Sequence, residues 1–205
     1  MDETVLQSLI KWPHVPNCFG WLALDRRGQW RMRNEYAQQH KLPGSPIEHT
    51  ILNEFINRNY AYDEFGRYYF QNGPQRVFIS LDATPWIARL IPFGDTLTIQ
   101  TQCQSTIEPQ SALSDESGNI YITGLLSVAT HDAKQVAHLT NHAHIVVALL
   151  HDHDLDLFAN LAQVHEDACS YKGSWQWNQQ TLPIDPIHSH ELETRFRFTK
   201  DPQEL

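Results

Sequence analysis

The sequence predicts an α+β protein of two related units, each an antiparallel sheet with packed helices, built on repeated D-x-x-G hairpins. Three observations carry that prediction. The pattern D-x-x-G occurs at Asp25–Gly28, Asp63–Gly66 and Asp115–Gly118, and each copy leads into a strand-like run. Several runs alternate apolar and polar residues with the period of a strand, and others repeat apolar residues at three and four with the period of a helix. An Asp side chain closes such a turn and the glycine takes positive φ, which is hairpin chemistry. The units are expected at residues 12–101 and 102–205, the second carrying histidine-rich helices.

In chain order, residues 3–10 form a short amphipathic helix that ends at Pro13 and Pro16. Residues 18–24 are an apolar strand, the first D-x-x-G turns it, and 29–33 return it with Trp30 and Met32 on one face. Residues 34–44 are a polar loop ending in Pro43-Gly44. The next stretch, 45–90, organises the first unit. Ser45 as N-cap, Pro46 at the first helical position and Glu48 make a capping box, and Ile47, Ile51, Leu52, Phe55 and Ile56 form one stripe. The second D-x-x-G turn then leads to an aromatic strand at 67–70. Asn72-Gly73 closes a second hairpin with the strand 75–81, the Asp82–Pro85 segment breaks it, and 86–91 and 97–101 continue the sheet.

The polar stretch 102–111, with Pro109, reads as the connection between units. After the third turn and the strand 119–123, residues 132–150 have a helical stripe through Val136, Leu139, Ala143 and Val147. His151–Asp154 interrupts it, and a second helix is expected over 155–168. Trp175–Trp177 and Thr194–Phe198 alternate as final strands, with Pro183 and Pro186 in the loop between them.

The chain has 205 residues, 41% of them apolar, and a net charge of -9. The apolar fraction is enough for a substantial core, and the charge disfavours nucleic acid or an anionic membrane as the main partner. No apolar run reaches the roughly 20 residues of a membrane span, and the N-terminus lacks signal-peptide character. A soluble, cytoplasmic protein is the expectation. Cys18, Cys103 and Cys169 are widely spaced and make no C-x-x-C pair, so they read as structural thiols.

Two features suggest chemistry. Arg58, Asn59, Arg67, Tyr69, Asn72, Gln75, Arg76 and Trp86 cluster in sequence around the central hairpin. Arginines, amides and aromatics together could hold a carboxylate, a phosphate or a peptide. Within that set Arg58, Arg67, Asn72, Gln75, Arg76 and Trp86 are the candidate ligand-binding residues. The opposing reading is a solvated sheet face with the aromatics in the core.

The second feature is seven histidines between positions 131 and 165. His138 and His142 are i and i+4 on a helix, and His131 falls near the same side. The three could hold zinc or another transition metal, with Asp132 as a fourth ligand or base. The metalloprotease motif needs Glu after the first His, where Leu139 stands. The H-x-H of metallo-β-lactamase-type hydrolases needs an Asp-His pair where Val146-Val147 stand. The opposing reading is a polar helix face with His151–Asp154 as its solvated C-terminal end, where imidazolium suits the helix dipole. No G-x-S-x-G elbow, Walker loop or G-x-G-x-x-G occurs.

The run DRRGQWRMR, followed by GSPIEHTILNEFINRNYAYDEFGRYYFQNGPQRVFISLDATPW, resembles a family of uncharacterised bacterial proteins and, more distantly, domain-of-unknown-function family 1285. The shared order is a D-x-x-G turn and strand, a small-Pro-Ile helix start, a second such turn with an aromatic strand, and Asp-Ala-Pro-aromatic. Thr84 interrupts the last of these. The resemblance covers about residues 19–123. It implies an α+β fold of repeated units and a ligand-binding or signalling role, and supplies no catalytic residues.

The expectation is therefore a regulatory protein without catalysis or cofactor, binding a small molecule or a protein partner, with a homo-oligomer open as its assembly. The alternative is a metal-dependent hydrolase on the histidine segment. A third reading is a purely structural or subunit-interface protein.

Overall fold

The computed structural model describes residues 1–127, 145–167 and 170–204. Their contacts divide them into two units, one of residues 1–85 with 197–204, the other of 86–127, 145–167 and 170–196. Both mix sheet and helix, so the chain is α+β. No helix among the described residues is long and apolar enough to cross a membrane.

The first unit is a six-stranded sheet in the order β3-β2-β1-β6-β5-β4. Its strands are β1 (Cys18–Leu24), β2 (Trp30–Met32), β3 (Ser45–Pro46), β4 (Tyr60–Tyr62), β5 (Tyr68–Asn72) and β6 (Gln75–Leu81). Neighbours are antiparallel except the central pair β1 and β6, which run parallel with Leu22 opposite Ile79 and Leu24 opposite Leu81. Those four side chains are buried, together with Trp30, Tyr60, Tyr68, Phe70 and Phe78. Helix α1 (Glu3–Lys11) precedes the sheet, α2 (Glu35–Gln39) follows β2, and α3 (Thr50–Arg58) packs on β5. Within α3 only Ile56 is fully buried, while Ile51 is largely exposed. The Trp30 indole donates to Asn57 Oδ1 at 2.8 Å and stands edge-on to Tyr60, which locks α3 to the sheet.

The second unit is built on a closed ring. Strands β7 (Trp86–Phe93), β8 (Thr96–Thr101), β9 (Thr106–Ser114), β10 (Ile120–Ser127) and β11 (Ile145–Leu150) pair in the order β10-β11-β7-β8-β9, and β9 pairs β10 to complete five strands. The edge of β9 is shared: Thr106 and Ile107 pair with β8, and Ala112–Ser114 pair in parallel with β14 (Gln180–Pro186). Beyond β14 lie β13 (Ser170–Trp177) and β12 (Ala162–Asp167). Two short helices, α4 (Leu155–Leu161) and α5 (Leu192–Phe196), complete the unit. Phe158 of α4 and Trp175 of β13 meet at 5.2 Å inside it.

Several expected elements are replaced. Ser45 and Pro46 do not cap a helix; they pair with Met32 and Arg31 as an edge strand, and α3 begins five residues later with the His49 ring accepting from the Leu52 N–H. The polar loop 34–44 contains α2, capped by Asn34. Residues 102–111 are no linker, because β9 runs through them. Pro109, which lacks a donor, lies opposite Gly124 where the register slips by one residue, and a Cβ at Gly124 would strike the Glu108 carbonyl. Residues 145–150 are strand β11 rather than helix; the expected stripe's earlier members, 136–143, lie outside the described residues. The helix expected over 155–168 gives way at Ala162 to β12, Pro183 and Pro186 sit within β14, and residues 192–196 are helix.

All three D-x-x-G segments are hairpin turns with one hydrogen-bond scheme. The Asp carbonyl accepts from the Gly N–H, and one Asp carboxylate oxygen accepts from the N–H groups two and four residues on. The strand orders of the two units differ, so the recurrence seen is that of the turn.

Candidate functional site

The residues around the central hairpin are distributed as follows. Arg67 is held by Asp63 at 2.8 Å, lies 4.7 Å over the Phe78 ring and donates to the Gln203 carbonyl. Arg58, at the end of α3, faces Asp2 at 3.3 Å. Asn59 is fully buried, donating to the Phe55 carbonyl and binding both the backbone and side chain of Asp2. Asn72 and Gln75 face each other across the hairpin, and Gln75 donates to the Pro16 carbonyl. Arg76 stacks 4.8 Å over the buried Tyr69 ring. Trp86 is buried in the other unit. The structure thus gathers Asn72, Gln75 and Arg76 on one hairpin and commits Arg58 and Arg67 to carboxylates.

Charged side chains converge elsewhere in the first unit. A cleft of about 440 Å³ opens beside the parallel pair β1 and β6. Phe19, Ala23, Leu42 and Leu81 give it apolar surface, and Arg33, Lys41 and Lys200 bring positive charge against Asp82 and Asp201. Local backbone chemistry fixes Arg33: its N–H donates to the Trp21 carbonyl, and its own carbonyl accepts from the Gln38 amide at 3.1 Å. The guanidinium donates through Nη1 to Ser80 Oγ at 3.1 Å, and Ser80 lies 3.3 Å from Asp201 Oδ1. Arg33 Nε is buried without a hydrogen-bond partner among the described residues. Such a donor carries a cost that an acceptor in the cleft would remove. Lys200, Asp201 and Gln203 form the remaining wall, and their segment is tied by the Leu81 N–H to the Lys200 carbonyl at 2.7 Å and the Thr199 N–H to the Gly66 carbonyl at 3.0 Å.

The sequence reading missed this site. Its members come from positions 19–42, 80–82 and 200–203, and no local pattern links them. One signal was present: Arg33 directly follows the short strand β2, whose Trp30 is buried.

Of the histidines, His131, His138 and His142, with Asp132, lie outside the described residues. His151 and His153 are described, and they follow a strand rather than a helix; His153 is exposed, as expected of a solvated end, and His151 is not. His151 is buried at the end of β11, its N–H donating to the Ala88 carbonyl at 2.9 Å, and it precedes a single 3-10 turn, Asp152–Asp154, that leads into α4. Burial, and after it the Arg89 guanidinium, push its imidazole below the ordinary histidine range against the opposing pull of Asp152 and Asp154. Arg89 itself is paired with Asp154 at 2.6 Å.

Other titratable groups serve structure. Burial pushes the Asp115 carboxyl up, but Asn119, Tyr121 and two backbone donors outweigh it and hold the group below its usual range. The Ser189 hydroxyl and N–H hold Glu116 down at about 2. Burial raises the thiols of Cys18 and Cys103, which makes them poor nucleophiles.

No curated protein matches the chain in sequence. Among solved structures it is similar to a DUF1285 family protein from Silicibacter pomeroyi DSS-3, with 15% sequence identity, 86% of this chain and 84% of that chain covered, and a TM-score of 0.48. The family DUF2944, described as "Protein of unknown function (DUF2946)", matches residues 1–203, and over that length the chain belongs to it.

Proposed function

We propose that the protein binds a small anionic metabolite, a carboxylate or a phosphate ester, in the cleft beside β1 and β6, and that this binding serves regulation in the cytoplasm. The observation that carries the reading is the meeting of Arg33, Lys41 and Lys200 on one cleft, where they outnumber Asp82 and Asp201, in a chain of net charge -9. A cation cluster against that background draws an anion to one place, and a guanidinium offers it paired donors. Arg33 is the anchor because its backbone is fixed on both sides and its Nε is unmet. The apolar patch of Phe19, Ala23 and Leu81 would take the ligand's carbon skeleton.

A second surface, Asn72, Gln75 and Arg76 of the hairpin, is favoured by their shared position and by the stacking of Arg76 on Tyr69. The two separate in one experiment. Thermal unfolding is followed with inorganic phosphate and with citrate for the wild type and for Arg33→Gln, Lys200→Ala and Arg76→Ala. Ligand at a hundred times its Kd adds about 2.7 kcal/mol, which in a chain of this size raises the melting temperature by about 2–4 °C per kcal/mol. The shift should vanish in Arg33→Gln, fall in Lys200→Ala and persist in Arg76→Ala. An unchanged shift in the first two variants, or none in the wild type with either probe, would sink the cleft reading; loss only in Arg76→Ala would move the site to the hairpin.

A further inference from the structure

We infer that His151, Asp152 and His153 form a binding site for a divalent transition metal of the zinc type, separate from the anion cleft. One donor atom from each of the three lies within 4.8 Å of the other two. Their separations include 2.8 Å between His151 Nδ1 and Asp152 Oδ1 and 4.0 Å between His153 Nε2 and Asp152 Oδ1. Nitrogen and oxygen ligands about 2.0–2.2 Å from a tetrahedral zinc ion stand roughly 3.3–3.6 Å apart. Rotating the two exposed side chains, Asp152 and His153, would bring the donors to that spacing.

The local arrangement already has the form of a ligand set. The His151 Nδ1 accepts the His153 N–H at 3.1 Å, so that nitrogen presents a lone pair, yet a carboxylate oxygen stands 2.8 Å from it. Two electron-pair donors that close need a proton or a cation between them; for the cation the pair would open to ligand spacing and Nδ1 would exchange its contact with the His153 N–H. The His151 and His153 rings sit 4.7 Å apart, edge to face. His151 is fixed by burial and by its bond to β7, while the other two remain adjustable, which suits a site with one rigid ligand and two adaptable ones. Imidazole with carboxylate selects zinc, nickel or copper over magnesium and calcium. Three protein ligands leave a fourth position open to water.

The test uses the full chain without an affinity tag. Zinc affinity is measured by competition with a chromophoric chelator, and cobalt(II) substitution reports coordination by its visible absorption. Asp152→Asn and His153→Ala alter exposed side chains, and unfolding curves check that they fold. The wild type should bind one zinc at this site, each variant should weaken it by more than about tenfold, and the absorption of four-coordinate cobalt should disappear with it. A combined His131→Ala, His138→Ala and His142→Ala variant should keep the site. Affinity unchanged by Asp152→Asn and His153→Ala, loss confined to the combined variant, or no zinc competition by the wild type would each overturn the assignment.

Discussion

At the scale of the residue, His151 shows how neighbours decide a role. A histidine after a helical stripe and before two aspartates reads as the charged, solvated end of a helix, but residues 145–150 are a strand whose ladder continues through the His151 backbone and draws the ring inside. Burial, then Arg89, depress its affinity for a proton, while Asp152 and Asp154 oppose them and His153 adds a further small depression. The unfolded chain takes up that proton near the ordinary value of 6.5. Between that value and the lower folded one, the unfolded state holds more protons, so stability rises with pH. The contribution is fully present above about pH 6.5 and is lost as pH falls toward the folded pKa. In His151→Asn, which keeps an acceptor for the His153 N–H, the loss should be smaller. Urea unfolding at pH 7.5 and pH 5.5, in chelator, checks this: equal pH dependence in the two proteins would mean that His151 is not held neutral.

At the scale of the element, the three D-x-x-G turns share their hydrogen bonds but not their surroundings. Gly66 and Gly118 both have positive φ, at 72° and 78°. A Cβ on Gly118 meets nothing within 4 Å, whereas one on Gly66 would overlap the Arg197 carbonyl, because residues 197–199 run beside that turn. Gly118→Ala should therefore cost only the left-handed backbone penalty, about 1–2 kcal/mol. Gly66→Ala should cost at least about 1 kcal/mol more, since backbone must move as well. Denaturant midpoints of the two variants decide it, and equal losses would mean that residues 197–199 do not constrain the turn. The same scale explains the misplaced helix start. Ser45-Pro46-x-Glu48 satisfies capping-box chemistry, but β2 offers a sheet edge, and the Ile47 N–H goes to the Trp30 carbonyl instead of into a helix. A local pattern lost to a partner distant in sequence.

At the scale of the molecule, what was legible in the sequence is what local chemistry determines. The strands 18–24, 75–81 and 97–101, helix 3–10 and all three turns could be read because alternation, prolines and Asp-Gly pairs act within a few residues. The closing of the five-strand ring could not, because Pro109 looks like a linker unless Gly124 is known to stand opposite it. The cleft was illegible for the same reason. Arg33 and Lys41 meet Lys200 only because the Leu81 and Thr199 N–H groups dock the last residues beside β6 and the second turn. The C-terminal segment thus has two separable effects, bracing the first unit and supplying one wall of its cleft. Removing residues after Phe198 deletes the Leu81–Lys200 and Thr199–Gly66 backbone bonds, the Arg67 bond to Gln203 and the long, exposed Ser80 bond to Asp201, which contributes least, while retaining buried Phe198. At about 1 kcal/mol per hydrogen bond, the truncated chain should lose roughly 2–3 kcal/mol. Lys200→Ala keeps those backbone bonds, so it should lose less stability than the truncated chain and yet bind phosphate or citrate more weakly. Urea unfolding and anion titration on the two variants separate bracing from binding; a truncated chain as stable as the wild type would show that the segment does not brace the unit.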